Sequence, residues 1–399
     1  MFKDVEKALF DLRAGKLIIV VDDDDREAEG DLVGLAELAS PENVNFMTKH
    51  ARGLICAPVS EEIANRLELV PMSEENTDAH GTAFTISVDH KETSTGISAF
   101  DRAKTIQGLA SSTSKASDFH KPGHMFPLVG RFGGVLERRG HTEASLDLAR
   151  LAGVREATYI CEILKDDGTM ARKVDLHDFA SKWNLTMIEV GDIARYVSFQ
   201  DSPKVKLPSS YGDFDLQLFE DEEKREHVLL SKGDLTTDEP LLLRLHSECL
   251  TGDIFGSLRC DCGEQLHAAM EKIDQVGRGA ILYLRQEGRG IGLKNKLKAY
   301  QLQEEGLDTY EANLELGFAP DERDYQIAAD ILSFLDIKQV KLLTNNPDKL
   351  EQLEMAGIDI VERLPLQMTA HQENRAYLQT KQEKFHHLLC LLYTSDAAD

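Results

Sequence analysis

The stretch FQDSPKVKLPSSYG, residues 199–212, decides how this chain divides. Pro203, Pro208 and the pair Ser209-Ser210 punctuate it as a linker. It falls near the middle of a 399-residue sequence, longer than one hydrophobic core usually serves. The expectation is two domains, residues 1–199 and residues 200–389. Upstream of the linker, Lys16–Val21 (KLIIVV) reads as a buried strand entering an acidic loop, and Thr82–Val88 (TAFTISV) alternates as a second strand. Glu143–Ala152 has helical spacing and stops at Gly153. Strands and helices mix there without a Gly-x-Gly-x-x-Gly fingerprint, which predicts an α+β domain.

Downstream the elements alternate. Leu241–Leu245, Ala280–Leu284 and Val340–Leu343 read as strands, and Glu264–Val276, Asp321–Leu335 and Pro347–Ala356 as helices, which predicts an α/β domain. The final ten residues, CLLYTSDAAD, fit neither pattern. They resemble a translated sequencing-library adaptor, so residues 390–399 are expected to be a non-native tail outside the fold.

Composition limits the function. Hydrophobic residues at 42% suffice for two cores, and no apolar run approaches the roughly 18 residues of a membrane span. The opening MFKDVEKALFDLRAGK is an amphipathic helix pattern interrupted by acidic residues rather than a signal peptide, so a cytoplasmic location is expected. Seventy acidic against 45 basic residues give a net charge of −25, which argues against nucleic acid as a partner and requires local arginines for any anionic ligand. Six cysteines, three of them clustered, suit a reducing compartment and a metal rather than a disulfide framework.

Two constellations carry chemistry in the first half. The run Asp22–Asp31 (DDDDREAEGD) follows a strand and holds Arg26 among its carboxylates. A solvated loop is the ordinary reading of such a run. At a strand end, however, carboxylates bind hard cations such as Mg²⁺ while an arginine grips the phosphate they repel. The second, Arg138-Arg139-Gly140-His141-Thr142-Glu143, sets two guanidiniums at an expected helix start, where backbone amides favour an anion. His124 sits on an expected Pro-Gly turn, and Glu162 follows a strand-like run; each is equally a structural or a functional residue on its own chemistry.

In the second half, Cys249, Cys260 and Cys262 stand in HSECLTGDIFGSLRCDCGEQ (residues 246–265). Structural zinc usually takes four ligands, so three thiolates with an open fourth position favour a catalytic site over unrelated buried cysteines. His246 is either a further ligand or a hydrogen-bonding neighbour. Arg285–Leu293 (RQEGRGIGL) has the glycines and arginines to wrap a phosphate chain, but lacks the Lys-Ser/Thr of a P-loop. In DERDY (residues 321–325), Asp321 reads by default as a helix N-cap and Arg323 as its surface partner.

Together, DDRE with EGDL, TGISAFDRA (residues 95–103), PGHMFP and RRGHTE resemble 3,4-dihydroxy-2-butanone 4-phosphate synthases. The resemblance implies conversion of ribulose 5-phosphate to 3,4-dihydroxy-2-butanone 4-phosphate and formate with Mg²⁺ or Mn²⁺. Glu27 and His141 would ligate that metal; Arg26, Glu27, Asp31, Arg138, Arg139, Gly140, His141, Thr142 and Glu162 would hold the sugar phosphate; His124 and Glu162 would transfer protons. Ala28 departs from the asparagine commoner at its place in the motif.

RLHSECLTGD, LRCDCGEQL, RQEGRGIGL, DTYEAN and TNNPDK, between Arg244 and Lys349, resemble GTP cyclohydrolase II. That family opens the purine of GTP with zinc-activated water, releasing formate and pyrophosphate and leaving 2,5-diamino-6-ribosylamino-4(3H)-pyrimidinone 5′-phosphate. The resemblance makes Cys249, Cys260 and Cys262 zinc ligands. Arg244, Leu245, His246, Ser247, Glu248, Gln265, Glu287, Gly288, Arg289, Thr309, Thr344 and Lys349 become GTP contacts. Asp321 would accept a proton, and Arg323 would be the family's nucleophile toward the α-phosphate, although a guanidinium is better suited to clamping a phosphate than to attacking it. Joined in one chain, the two resemblances are those of the bifunctional riboflavin biosynthesis enzymes, and they imply a homodimer with no nucleic-acid or membrane partner. Two alternatives stand beside this reading: a chain with only one active half, or a second half that is a zinc-stabilised nucleotide-binding module.

Overall fold

The computed structural model describes residues 2–23, 26 and 28–389. Glu27 and the tail expected to be non-native therefore lie outside the described residues. The chain separates into two compact units that divide between Ser198 and Phe199. Among the described residues, no helix is long and apolar enough to cross a membrane.

The first unit runs α1 (Phe2–Arg13), β1 (Ile18–Val21), β2 (Gly30–Leu35), α2 (Pro41–Phe46), β3 (Cys56–Val59), α3 (Glu61–Arg66), β4 (Val88–His90), α4 (Ala99–Ala110), β5 (Phe119–Val129), α5 (Gly134–Glu137), α6 (His141–Leu151), β6 (Thr158–Glu162), α7 (Lys173–Trp183), β7 (Met187–Glu189) and α8 (Val190–Gln200). Its seven strands form one sheet in the order β4-β5-β3-β6-β2-β1-β7. The sheet is mixed: β3 and β5 run parallel, as do β1 and β7, while β2 is antiparallel to both β1 and β6. Its core gathers Ile19, Leu32, Met47, Ala57, Ile106 and Tyr159.

Two expectations change here. Thr82–Val88 is not one strand; the backbone there hydrogen-bonds alternately to Pro127, Val70 and Val129, and regular pairing begins only at Val88. His124 is not on a turn but inside the long strand β5. Gly123 makes that possible, because a Cβ there would stand 2.1 Å from the carbonyl carbon of Val88, where the β4–β5 register shifts.

The second unit continues β8 (Lys204–Ser209), β9 (Gly212–Glu220), β10 (Glu226–Lys232), β11 (Leu241–Ser247), α9 (Leu250–Asp253), α10 (Cys262–Val276), β12 (Gly279–Leu284), α11 (Gly292–Glu304), α12 (Thr309–Glu315), α13 (Gln326–Phe334), β13 (Gln339–Leu343), α14 (Pro347–Met355), β14 (Asp359–Leu364) and α15 (Arg375–Lys384). Most of the expected linker is a β-hairpin instead: β8 pairs with β9 from Lys204↔Gln217 to Ser209↔Gly212. Pro208 is compatible with a strand because β8 lies at the sheet edge, where no ladder donor is needed. The helix expected from Asp321 starts only at Gln326, so Asp321 and Arg323 lie on an irregular segment and Asp321 caps nothing.

The order β14-β13-β11-β12-β10-β9-β8 places four parallel strands beside an antiparallel meander. Strand β11 pairs with β12 on one side and β13 on the other, so the chain reverses its winding direction at β11, the kind of place where open α/β sheets bind ligands. Leu242 of β11 packs with Ile273, Ile281 and Leu343 in the core. Arg244 and His246, the next residues on that face, carry it past the core toward the carboxyl ends of the strands.

Candidate active sites

In the first unit, sheet register assembles the acidic group. Asp31 on β2 is the cross-strand partner of Glu162 on β6. His141 opens α6 with Nδ1 3.8 Å from Asp31 Oδ1, and both side chains are buried. Glu162 Oε2 accepts the Leu54 amide at 2.8 Å, which requires Gly53, since a Cβ there would come within 2.4 Å of the same oxygen. Cys56 on β3 faces Phe126 on one side and Ile160 on the other, so His124 and Glu162, each two positions along, fall at one end of the sheet.

The nearby arginines are held by carboxylates. Arg26 binds Asp22 at 2.6 Å and Arg138 binds Glu143 at 2.6 Å, while Arg139 reaches Asp23 at 3.4 Å. Gly140 is the N-cap of α6 and offers no side-chain cap, and a helix N-terminus of this kind favours an anion. Thr142 is buried in that first turn. Ala28 has φ +51°, the left-handed region that asparagine tolerates better than alanine, which gives the sequence departure there a physical cost.

His124 is half exposed and bound twice to Asp89: its backbone N–H donates to Oδ1 at 2.9 Å, and Nδ1 meets Oδ2 at 2.7 Å. The TGISAFDRA motif lies over this pair. Gly96, at φ +84°, passes so close that a Cβ would sit 2.1 Å from Asp89 Oδ2 and 2.5 Å from His124 Nδ1. Asp101 fixes that turn by accepting from the Ser94 amide and hydroxyl and from the Gly96 amide, and these bonds hold its carboxyl down at about 2. Asp89 escaped the sequence reading, and Asp101, though inside the TGISAFDRA motif, was given no role there, because nothing marks an aspartate as a partner until the fold pairs it.

In the second unit the three cysteine sulfurs lie within 4.8 Å of one another, Cys249 and Cys260 at 3.7 Å. Two thiolates about 2.3 Å from one zinc at tetrahedral angles stand about 3.8 Å apart, so the spacing fits a shared zinc ion. Gly252 permits the approach; a Cβ there would come 2.9 Å from Cys260 Sγ and 3.1 Å from Cys249 Sγ. Hydrogen bonds with Cys260 and Cys262 lower the pKa of Cys249 against burial, and the charge of Lys296 lowers it further. His246 is not grouped with the sulfurs. Its Nε2 lies 3.1 Å from both oxygens of Asp253, which also accepts from the Cys249 amide and the Tyr283 hydroxyl.

One cavity joins the sulfurs to the expected nucleotide contacts. It is lined by residues at or just beyond the carboxyl ends of β11, β12 and β13: Ser247 to Cys249, Glu287 to Arg289, and Thr344 to Asn346. Arg244, His246, Gln265, Thr309, Arg323 and Lys349 line it as well. Leu245, expected as a nucleotide contact, does not line the cavity: its side chain is buried in the core and its carbonyl is taken by Lys349 Nζ at 2.7 Å. Both oxygens of Glu287 are engaged, one by Lys296 Nζ at 2.7 Å and the Gly288 amide, the other by the Leu250 amide. Arg323 is forked onto Asp321.

Electrostatics calls for a polyanion. Burial, then repulsion from Arg244 and Arg323, pushes Lys349 well below the usual lysine range. Burial would raise Asp321, but the charges and hydrogen bonds of Arg323, with Arg289, hold it down as a carboxylate. Burial also opposes the charge on Arg323, yet Tyr325 and Asp321 outweigh it and raise its pKa, so it stays a cation. Sequence reasoning missed Lys296, Tyr377, Lys381 and His387, which line the same cavity from helices or segments that carry no glycine or cysteine signature.

A mixed-sheet unit with a carboxylate–histidine group, followed by an α/β unit with a three-sulfur cavity, defines a two-site enzyme. The sequence matches the family 3,4-dihydroxy-2-butanone 4-phosphate synthase over residues 6–196 and GTP cyclohydrolase II over residues 200–365. It is 54% identical over 397 residues to a riboflavin biosynthesis protein RibBA of Bacillus cytotoxicus, and 53% identical to one of Bacillus mycoides, covering 98% of this chain and all of each relative. A crystal structure of 3,4-dihydroxy-2-butanone 4-phosphate synthase in complex with two magnesium ions is 39% identical, covering 49% of this chain and 96% of that one, with a TM-score of 0.47. The chain belongs to the bifunctional riboflavin biosynthesis enzymes that combine these two domains.

Proposed function

We propose that the first unit converts ribulose 5-phosphate to 3,4-dihydroxy-2-butanone 4-phosphate and formate, and that the second converts GTP to 2,5-diamino-6-ribosylamino-4(3H)-pyrimidinone 5′-phosphate, formate and pyrophosphate. The observation that carries the reading is the 3.7 Å sulfur pair opening on a cavity walled by buried cations.

In the first site, Glu27 and His141 would hold Mg²⁺ or Mn²⁺, in keeping with the preference of hard cations for a few protein ligands. When bound, the metal supplies charge that stabilises enediolate oxygens. Arg26, Asp31, Arg138, Arg139, Gly140 and Thr142 bind and orient the sugar phosphate. His124 and Glu162 move protons, with Asp89 fixing the His124 ring so that Nε2 faces the site.

In the second site, Cys249, Cys260 and Cys262 would hold zinc, which supplies Lewis acidity to activate water toward the purine. Asp321 is a carboxylate able to take a proton. Arg323, a cation locked on Asp321, clamps the α-phosphate rather than attacking it, because a protonated guanidinium has no free electron pair to donate. Arg244, Gln265, Arg289, Thr309, Thr344 and Lys349 position the nucleotide. A functional boundary at residues 199/200, a cytoplasmic location and a homodimer complete the reading.

Metal analysis with product identification tests it. Cys260→Ser should abolish formate release from GTP and spare that from ribulose 5-phosphate, and Glu27→Ala should do the reverse. Silence of the native chain on one substrate would mean a single active half; tight GTP and zinc binding without change in purine absorbance would mean a binding module.

A further inference from the structure

Residues 375–389, α15 and the stretch after it, lie past the region matched to GTP cyclohydrolase II, yet Tyr377, Lys381, His387 and Leu389 line the same cavity as the three cysteines. The segment is fastened at several points. Lys381, itself buried, binds Asp261 at 2.7 Å, the residue between Cys260 and Cys262. Lys384 pairs with Asp308 and, at 3.0 Å, with Glu311 at the start of α12. The Leu388 amide donates to the Asn345 carbonyl at 2.8 Å.

Phe385 stands at the centre of these attachments. The Arg289 guanidinium lies 3.8 Å from the centre of its ring, a cation–π contact, and Tyr310, next to Thr309, meets the ring at 5.6 Å. Arg289 has φ +62° on the glycine-rich loop, and its buried Nη1 has no hydrogen-bond partner. Among the described residues no carboxylate lies within ion-pair distance of it, Asp321 acting only at longer range, and its holders are aromatic: Phe385 at 3.8 Å, with Tyr377 at 6.0 Å from the ring centre and hydrogen-bonded to it.

We propose that residues 375–389 form a working wall of the nucleotide site, in which Phe385 is a positioning residue that aims Arg289 at the nucleotide phosphates. This rests on the GTP reading above. The aromatic face holds the guanidinium without neutralising it, so its donors and its charge stay available to a phosphate. A carboxylate in the same place would compete with the ligand.

The test is GTP binding by calorimetry, with steady-state kinetics, on the full chain and its Phe385→Leu, Phe385→Ala and Phe385→Trp variants. Leucine fills the space without a π face. The expected result is GTP binding weakened about tenfold in Phe385→Leu and Phe385→Ala, seen as a raised KM with kcat within about twofold, and restored in Phe385→Trp, with zinc content unchanged. Native-like binding by Phe385→Leu, or weak binding by a folded Phe385→Trp, overturns the proposal; should Phe385→Ala fail to fold, these two variants still decide. If the native chain binds no GTP, the proposed activity fails and this inference falls with it, whereas native binding that ignores Phe385 overturns the inference alone.

Discussion

Lys296 Nζ stands 3.1 Å from Cys249 Sγ, bringing a buried ammonium group against the sulfur of an expected zinc ligand. The same nitrogen binds Glu287 at 2.7 Å, and Glu287 in turn holds the amide of Leu250, the residue after that cysteine. Lys296 thus links α11, the glycine-rich loop and the cysteine turn. Lys296→Met keeps the length of the side chain and removes its charge and donors. We expect zinc to be lost to a competing chelator at roughly 10- to 100-fold lower chelator activity than for the native chain. Unchanged retention, measured by metal analysis after dialysis, would show that Lys296 does not support the site.

Gly252 offers a sharper test of the same centre. Its missing Cβ leaves room for Cys249 and Cys260 to approach, and an added methyl would meet both sulfurs inside 3.2 Å. Gly252→Ala should therefore give a folded chain with substoichiometric zinc and little GTP turnover, read by metal analysis and circular dichroism. Full zinc content would mean that the turn moves freely, contrary to its anchoring by Asp253.

How much of this was legible beforehand follows the range of the signals. Cys249, Cys260 and Cys262 lie close in sequence, so their spacing alone pointed to the sulfur cluster that the structure forms. The alternation of strands and helices from residue 241 onward in the second unit also read correctly, because hydrophobic period is a local property; that the strands run parallel came only from the structure. The hairpin of residues 204–220 was hidden, since prolines and serines mark a linker and an edge strand alike until the neighbouring strand is known. Asp321 looked like a helix cap, but its bond to Arg323 is made on irregular backbone five residues before the helix. Lys381 lies 120 residues from Asp261, and Asp89 lies 35 from His124; such partners are set by tertiary packing and leave no local pattern.

Asp89 and His124 provide the prediction for the first site. Oδ2 of Asp89 accepts from Nδ1 of His124, which leaves the basic lone pair on Nε2, the nitrogen proposed to act on the substrate. Asp89→Asn is nearly isosteric but presents an amide that can donate to Nδ1 and reverse the tautomer. The rate of formate release from ribulose 5-phosphate should fall about 10²- to 10⁴-fold, on the scale of tautomer reversal in other acid–base pairs, while GTP turnover stays unchanged. A loss below about threefold would remove His124 from the proton-transfer steps.

His387 gives the prediction for proton linkage in the proposed nucleotide site. In the free chain burial, and then Lys381, Arg323, Lys349 and Arg289, press its pKa down to about 2, so it is neutral at pH 7. A bound triphosphate offsets those four cations and so raises the pKa of His387. The bound state therefore takes up protons that the free state does not hold, and affinity should rise as pH falls from about 8 toward 6. Calorimetry of GTP binding in buffers of different ionisation enthalpy would measure the uptake. Because the nucleotide's own phosphates titrate in this range, the informative quantity is the difference between the native chain and His387→Gln. The variant should bind with fewer protons taken up and a flatter dependence of affinity on pH; identical uptake in both would place the linkage elsewhere.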